Sequence, residues 1–279
     1  MKRILVPCNF SSQVETAFKF ALEIAAVREA QIIVLTVLKE FDSNKLNEAE
    51  NLKFQITENE NRFKILLEKQ AMNRVKVTHL LRSGKITPLI LSIIDEEEID
   101  LVIMGTHGSR GWDEFFMGSN IEKIVRTSPV PVFAVKNSTS IRSVHNIVFP
   151  VSLNPGNGSL VEKVKDLQKL FRARIHLLRI NTGTSKKDSG TLQKLAEFAE
   201  RNTLSNFTVN VRSSEDVKHG IIDFAREINA DMITMATHGN RDLNHLYAPS
   251  IAADVVNHAG LLIWTCCTSK VARTVQKVI

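Results

Sequence analysis

Ile99-Asp100-Leu101-Val102-Ile103-Met104-Gly105-Thr106-His107-Gly108 decides the fold, because the chain writes it twice. Residues 230–239 read Ala230-Asp231-Met232-Ile233-Thr234-Met235-Ala236-Thr237-His238-Gly239, 131 positions further on. The same spacing relates the apolar segments Val130–Val135 and Leu261–Cys266. Nearer the start, Arg3-Ile4-Leu5-Val6-Pro7 returns as Asn146-Ile147-Val148-Phe149-Pro150, at a spacing of 143. Two blocks in the same order imply duplication. The difference of 12 between the spacings places a longer middle segment in the first copy, within residues 39–74.

Each copy alternates strand and helix. In the first, Arg3–Pro7 is an unbroken apolar strand, and Ser12 with Glu15 forms a capping box. Val14, Ala17, Phe18, Ala21, Leu22 and Ala25 follow at helical spacing. Gln31–Leu38 and Val75–Leu81 read as strands on either side of a charged helix over 45–71. Thr87-Pro88 reads as a helix start, with Thr87 as N-cap. Leu101–Met104 is a strand, Gly118–Thr127 a helix and Val130–Val135 a last strand. Apolar strands separated by helices predict parallel sheets covered on both faces. The polar stretch Asn137–Ser143 is the expected linker. The expected division is a first domain at 1–138, a second at 144–270 and a tail at 271–279. The two apolar last strands would leave unpaired sheet edges, so the copies are expected to pair through them as a pseudo-dimer.

Composition excludes several classes. The chain has 279 residues, 43% hydrophobic and 24% charged, the mix of a globular protein. No apolar run reaches the roughly 18 residues of a membrane span, so no membrane partner is expected. The opening apolar run stops at Pro7, too short for a secretory segment, and a cytoplasmic location is expected. Three cysteines, Cys8, Cys266 and Cys267, imply no disulfide framework. Cys266 and Cys267 read as strand residues rather than metal ligands. Net charge is +6, with 18 Lys/Arg and 18 Asp/Glu in residues 1–140, and 18 and 12 in residues 141–279. The excess is scattered without interleaved aromatics, so nucleic acid is not an expected partner.

Gly105-Thr106-His107-Gly108, nine residues, then Gly118-Ser119 is the most informative spacing. Gly105 ends a buried strand, at the edge where open α/β sheets bind ligands. Gly118 begins a helix, whose free N–H groups and dipole favour an anion. Glycines let a phosphate approach the main chain, and Ser119 adds a hydroxyl. No Gly-Lys-Ser/Thr follows and no Gly-x-Gly-x-x-Gly occurs, which excludes a Walker loop and a dinucleotide fingerprint. His107 and His238 lack metal-ligand spacing and read as structural or phosphate-contacting. No catalytic constellation and no metal site can be assigned.

Gly-x2-Gly-x9-Gly-Ser behind Asp-Leu-Val-Ile-Met resembles the nucleotide-binding signature of the universal stress protein family. Ile4-Leu5-Val6-Pro7-Cys8-Asn9-Phe10-Ser11 resembles that family's first strand and turn, and Ser128-Pro129-Val130-Pro131-Val132 its closing strand. The resemblance spans nearly the whole chain, twice. It implies two Rossmann-like domains of the adenine nucleotide alpha hydrolase-like type, each a five-stranded parallel-type sheet. It implies ATP, with or without Mg²⁺, as cofactor, and pairing through the last strands, within the chain and, where it dimerises, between copies. By position, Pro7, Asn9 and Val37 would line the adenosine with Met104 nearby. Gly105, His107, Gly108, Gly118, Ser119 and Asn120 would surround the phosphates. The family usually has Asp at the position of Asn9, so a carboxylate is missing here. The second copy departs further, with Ala236 for Gly105, Pro249 for Gly118, Ser152 for Asn9 and Ile180 for Val37.

The expected function is therefore a nucleotide-binding stress-response sensor or regulator, at most a weak ATPase. One rival is an interaction module that uses no nucleotide. The other is an enzyme of the wider superfamily, whose His-Ile-Gly-His or Ser-Gly-Gly-x-Asp-Ser loops do not occur here.

Overall fold

The computed structural model describes residues 1–38, 48–70, 75–106, 118–151, 158–182, 190–237 and 248–267. The first half runs β1 (Arg3–Pro7), α1 (Ser12–Arg28), β2 (Gln31–Leu38), α2 (Glu48–Glu68), β3 (Val77–Ser83), α3 (Ile86–Glu96), β4 (Leu101–Gly105), α4 (Gly118–Thr127) and β5 (Val132–Val135). The second runs β6 (Asn146–Pro150), α5 (Gly158–Phe171), β7 (Arg174–Thr182), α6 (Thr191–Arg201), β8 (Phe207–Ser214), α7 (Val217–Glu227), β9 (Met232–Thr237), α8 (Ala248–His258) and β10 (Leu262–Cys267). The insertion in the first copy falls largely in its second helix: α2 has 21 residues where α6 has 11.

The ten described strands form one sheet, in the order β3-β2-β1-β4-β5-β10-β9-β6-β7-β8. Every pairing is parallel except that of β5 with β10. There Ile263, Trp264 and Thr265 face Ala134, Phe133 and Val132. The two apolar last strands thus satisfy each other's backbone groups, as expected of edges that must not stay open. Two apolar layers flank the sheet and both run across the seam. One is packed by α1, α2, α5 and α6, the other by α3, α4, α7 and α8.

The duplication extends to backbone detail. The Asp100 carboxylate accepts the N–H groups of Lys2 and Arg3 at 2.5 and 3.1 Å. Asp231 accepts those of His145 and Asn146 at 2.8 and 2.9 Å. The repeated aspartate therefore ties the strand that it precedes to the start of the neighbouring first strand. Glu29 and Arg172, 143 apart, both take left-handed φ values, 52° and 53°, where α1 and α5 end.

Three local readings are corrected. Ser12 is the first residue of α1 and Ser11 its N-cap, with no side-chain capping bond. Glu15, free of a box, instead pairs with Lys69 at 2.8 Å. Thr87 lies inside α3, whose N-cap is Lys85, and its hydroxyl reaches the Asn120 side-chain oxygen at 3.4 Å. Strand β3 begins and ends two residues later than its hydrophobic pattern suggests, because pairing with β2 carries it to Ser83 opposite Leu38. The expected linker is partly ordered: Ile141–Ser143 form a 3-10 turn, and Glu23 accepts from the Ser140 hydroxyl and the Ile141 N–H at 2.8 and 2.7 Å.

Candidate functional site

In the first half the chain leaves β1 toward β2 and β3, then returns to β4 on the other side of β1. Helices α1 and α2 cover one face, and α3 and α4 the other. The strand order therefore reverses between β1 and β4, and a crevice opens outside their carboxyl ends, where such sheets bind ligands. Pro7 ends β1 and Gly105 ends β4, on the two sides of that crevice. Gly118, Ser119 and Asn120 form the first turn of α4. Val37 lies one residue from the end of β2, and Asn9 two residues beyond β1. His107 and Gly108 lie outside the described residues.

Asn9 shapes the turn after β1. Its side-chain oxygen accepts the Ser11 N–H at 3.1 Å, an Asx turn, and Phe10 takes φ 61°. Asp could accept that bond equally well. What Asn adds is an amide NH₂ donor in place of a second carboxylate oxygen. Met104 is 1% exposed and packed with the α3 and α4 layer, so it backs the crevice instead of lining it. Cys8 is buried beside this turn and its thiol is pushed up to about 12, chiefly by burial, which removes it from thiolate chemistry.

Gly105 has a reason of its own. A Cβ there would stand 2.4 Å from the Gln13 carbonyl oxygen and 3.0 Å from the Val14 nitrogen. Glycine at this position lets the first turn of α1 lie against the end of β4, whatever the crevice holds. In the second half the corresponding residue is Ala236, and α5 begins at Gly158. The Ala236 methyl packs against the core.

Two residues that the motif did not point to stand at the same edge. Thr106 is 4% exposed, donates its N–H to the Val135 carbonyl at 2.8 Å, and among the described residues has no hydrogen-bond partner for its hydroxyl. Lys136 follows Val135 directly. Val132 and Ala134 face the α3 and α4 layer, so strand alternation puts Lys136 on that face as well. Burial alone lowers its ammonium to about 8, and no carboxylate among the described residues counters it. A sequence signal existed: a lysine directly after an otherwise apolar closing strand, next to the end of β4.

Among the described residues, no group of three His, Cys, Asp or Glu side chains could cage a metal, and no helix is long and apolar enough to cross a membrane.

The universal stress protein family model matches residues 1–136 and again 143–261. Universal stress protein MJ0577 of Methanocaldococcus jannaschii is 29% identical over 157 residues, which are 50% of this chain and 97% of that protein. The structure of a universal stress protein from Archaeoglobus fulgidus superposes with a TM-score of 0.71 at 16% identity, covering 96% of this chain and 98% of that one. Protein PA1789 of Pseudomonas aeruginosa gives 0.66 at 15% identity, covering 96% and 92%. At such identities the two structures speak for the fold alone: two repeats in one chain. With both halves matched by one family model, the chain belongs to the universal stress protein family as a tandem member.

Proposed function

We propose that the first half binds one adenine nucleotide, ATP with or without Mg²⁺, in the crevice between β1 and β4, and that the protein is a stress-response sensor or regulator. One observation carries the reading. The Gly-x2-Gly-x9-Gly-Ser spacing coincides with a strand end and a helix start at the point where the strand order reverses. Pro7, Asn9 and Val37 are assigned to the adenosine side. Gly105, His107, Gly108, Gly118, Ser119 and Asn120 are assigned to the phosphates. Lys136 joins them as the counter-charge, since a half-buried ammonium without a carboxylate favours an incoming anion. The residues fit a polyphosphate better than a protein-held metal, and Mg²⁺ would arrive on the phosphates, as it commonly does.

The same reading divides the chain into domains 1–138 and 144–270 with a tail at 271–279, places it in the cytoplasm, and leaves the second domain without a matching nucleotide site. It assigns no catalytic residue. Calorimetry with ATP, alongside identification of small molecules released on denaturation, tests it. An ATP-free preparation that gives no binding heat would leave the interaction-module reading. Multiple turnover faster than about 1 per second, ordinary for an enzyme, would replace the sensor with an ATPase.

A further inference from the structure

A second cavity, of about 390 Å³, opens at the seam, at the opposite end of the first-half sheet from the crevice. It lies where β4 begins, beside the Pro129–Pro131 approach to β5, and between the end of α1 and the middle of α5. Its volume is within the range of small-molecule sites. Partly exposed Pro129, Val130, Pro131 and Leu170 supply apolar wall, and the buried side chains of Phe133 and Trp264 lie behind it.

Its charged lining is unevenly matched. Asp100 spends its carboxylate on the backbone N–H groups of Lys2 and Arg3. The Asp166 side chain is exposed, and only its carbonyl takes part, accepting from the Arg28 guanidinium at 3.3 Å. The Arg28 Nε is buried, with no hydrogen-bond partner among the described residues. Among the described residues Lys163 meets the Cys266 sulfur, at 3.0 Å, and burial pushes that thiol's pKa up, so the sulfur is a neutral acceptor. Two cations thus line an apolar cavity with no carboxylate bound to either among the described residues.

We propose that this seam cavity binds a small organic anion with a planar apolar body, an aryl carboxylate, with Arg28 and Lys163 holding the carboxylate and the ring lying against Pro129, Val130, Pro131 and Leu170, next to the buried Trp264. A guanidinium fork suits a carboxylate's two oxygens, and the apolar wall favours a ring that it removes from water. Because the walls come from both halves, such a ligand would bind only where β5 and β10 are paired. The inference does not depend on the nucleotide reading.

The test uses the full chain carrying Trp112→Phe, so that Trp264 is the sole tryptophan, with 2-naphthoate as the probe. Saturable change in Trp264 fluorescence at one probe per chain is expected. Arg28→Gln and Lys163→Gln should each weaken binding about tenfold or more, the loss of one charge-assisted contact, while Lys163→Arg stays near the parent. Should Arg28→Gln not fold, neutral 2-naphthamide on the parent chain replaces it and should bind at least tenfold more weakly than the acid. Saturating ATP should leave the titration unchanged. The assignment is overturned by no saturable signal, by equal binding of the amide, by preference for cationic 2-naphthylmethylamine, or by displacement with ATP.

Discussion

Phe133 of β5 and Trp264 of β10 sit directly opposite each other across the one antiparallel pairing in the sheet. Phe133 also meets Phe20 of α1 edge-on at 5.3 Å, and Phe171 of α5 at 6.3 Å with the rings nearly perpendicular. One side chain therefore links a strand and a helix of each half. The seam is continuous core, 1% exposed at Phe133 and 3% at Trp264.

From this we predict that the two halves unfold together. Urea denaturation followed by tryptophan fluorescence and by far-UV circular dichroism should give coincident single transitions. Phe133→Ala should cost about 3–5 kcal/mol, the usual loss for a buried Phe. Two separated transitions in the parent protein would show that the seam does not couple the halves.

Gly105→Ala should destabilise the fold irrespective of nucleotide. A methyl 2.4 Å from the Gln13 carbonyl must push the first turn of α1 away from β4, an overpacking cost of about 1–3 kcal/mol. The midpoint of thermal unfolding should drop in the nucleotide-free protein. An unchanged midpoint would return Gly105 to the phosphate alone.

How much of this was readable in the sequence divides along physical lines. Strands were legible because both faces are covered, leaving nearly unbroken apolar runs at Arg3–Pro7 and Leu101–Gly105. The pairing of β5 with β10 followed from two apolar runs at equivalent positions. Helix starts were less legible. Ser12 with Glu15 has the spacing of a capping box, yet Asn9, three residues earlier, holds the Ser11 N–H and moves the cap to Ser11. The need for glycine at 105 looked like ligand approach, because Gln13 is 92 positions away and only the fold brings its carbonyl there. Lys136 is not legible as a site residue, because a charge after a strand usually belongs to solvent and only burial reveals its cost.

Lys136→Met should raise stability while weakening nucleotide binding. The native ammonium is lowered from 10.5 to about 8 by burial. A lowered pKa means that the unfolded chain binds the proton more tightly, so the buried charge costs stability below about pH 8. That cost is relieved as pH rises from about 8 toward 10.5. Methionine removes it, and thermal midpoints at pH 7 should rise. ATP affinity of the parent should decline as pH climbs through 8, and that of the variant should be lower and flatter. A variant that binds ATP as tightly as the parent across pH 7–9 would remove Lys136 from the site.

His79 should make the first half acid-sensitive. Its ring stacks on Phe63 of α2 at 4.3 Å and bonds the Thr36 hydroxyl at 3.0 Å. Burial lowers its pKa below 6.5, the nearby Glu60 opposing. The stability from keeping it neutral is complete above pH 6.5 and is lost as pH falls below that value through the folded pKa. Replacing His79 with Gln should flatten the stability profile between pH 7 and 5. His176 in β7 is shifted the same way, so the double variant should be flatter still, and an unaltered slope in it would refute the assignment.

The stoichiometry should be one ATP per chain, because the second half keeps the fold while losing the anion donors. Pro249, in the first turn of α8, matches Gly118 and carries no N–H. Proline is well tolerated at such a position, so the helix forms and one phosphate contact disappears. Ile180, 8% exposed and packed in the α7 and α8 layer, stands for Val37, and Ala236 for Gly105. Loss of one charge-assisted hydrogen bond is worth roughly 1.5–3 kcal/mol, about ten- to a hundredfold in affinity. Gly118→Pro should transfer that loss to the first half with little change in thermal midpoint, since Gly118 also lies in the first turn of its helix. Calorimetry on the parent and on this variant decides the matter: two ATP molecules bound per parent chain, or one bound as tightly after Gly118→Pro, would show that the helix start does not hold the phosphates.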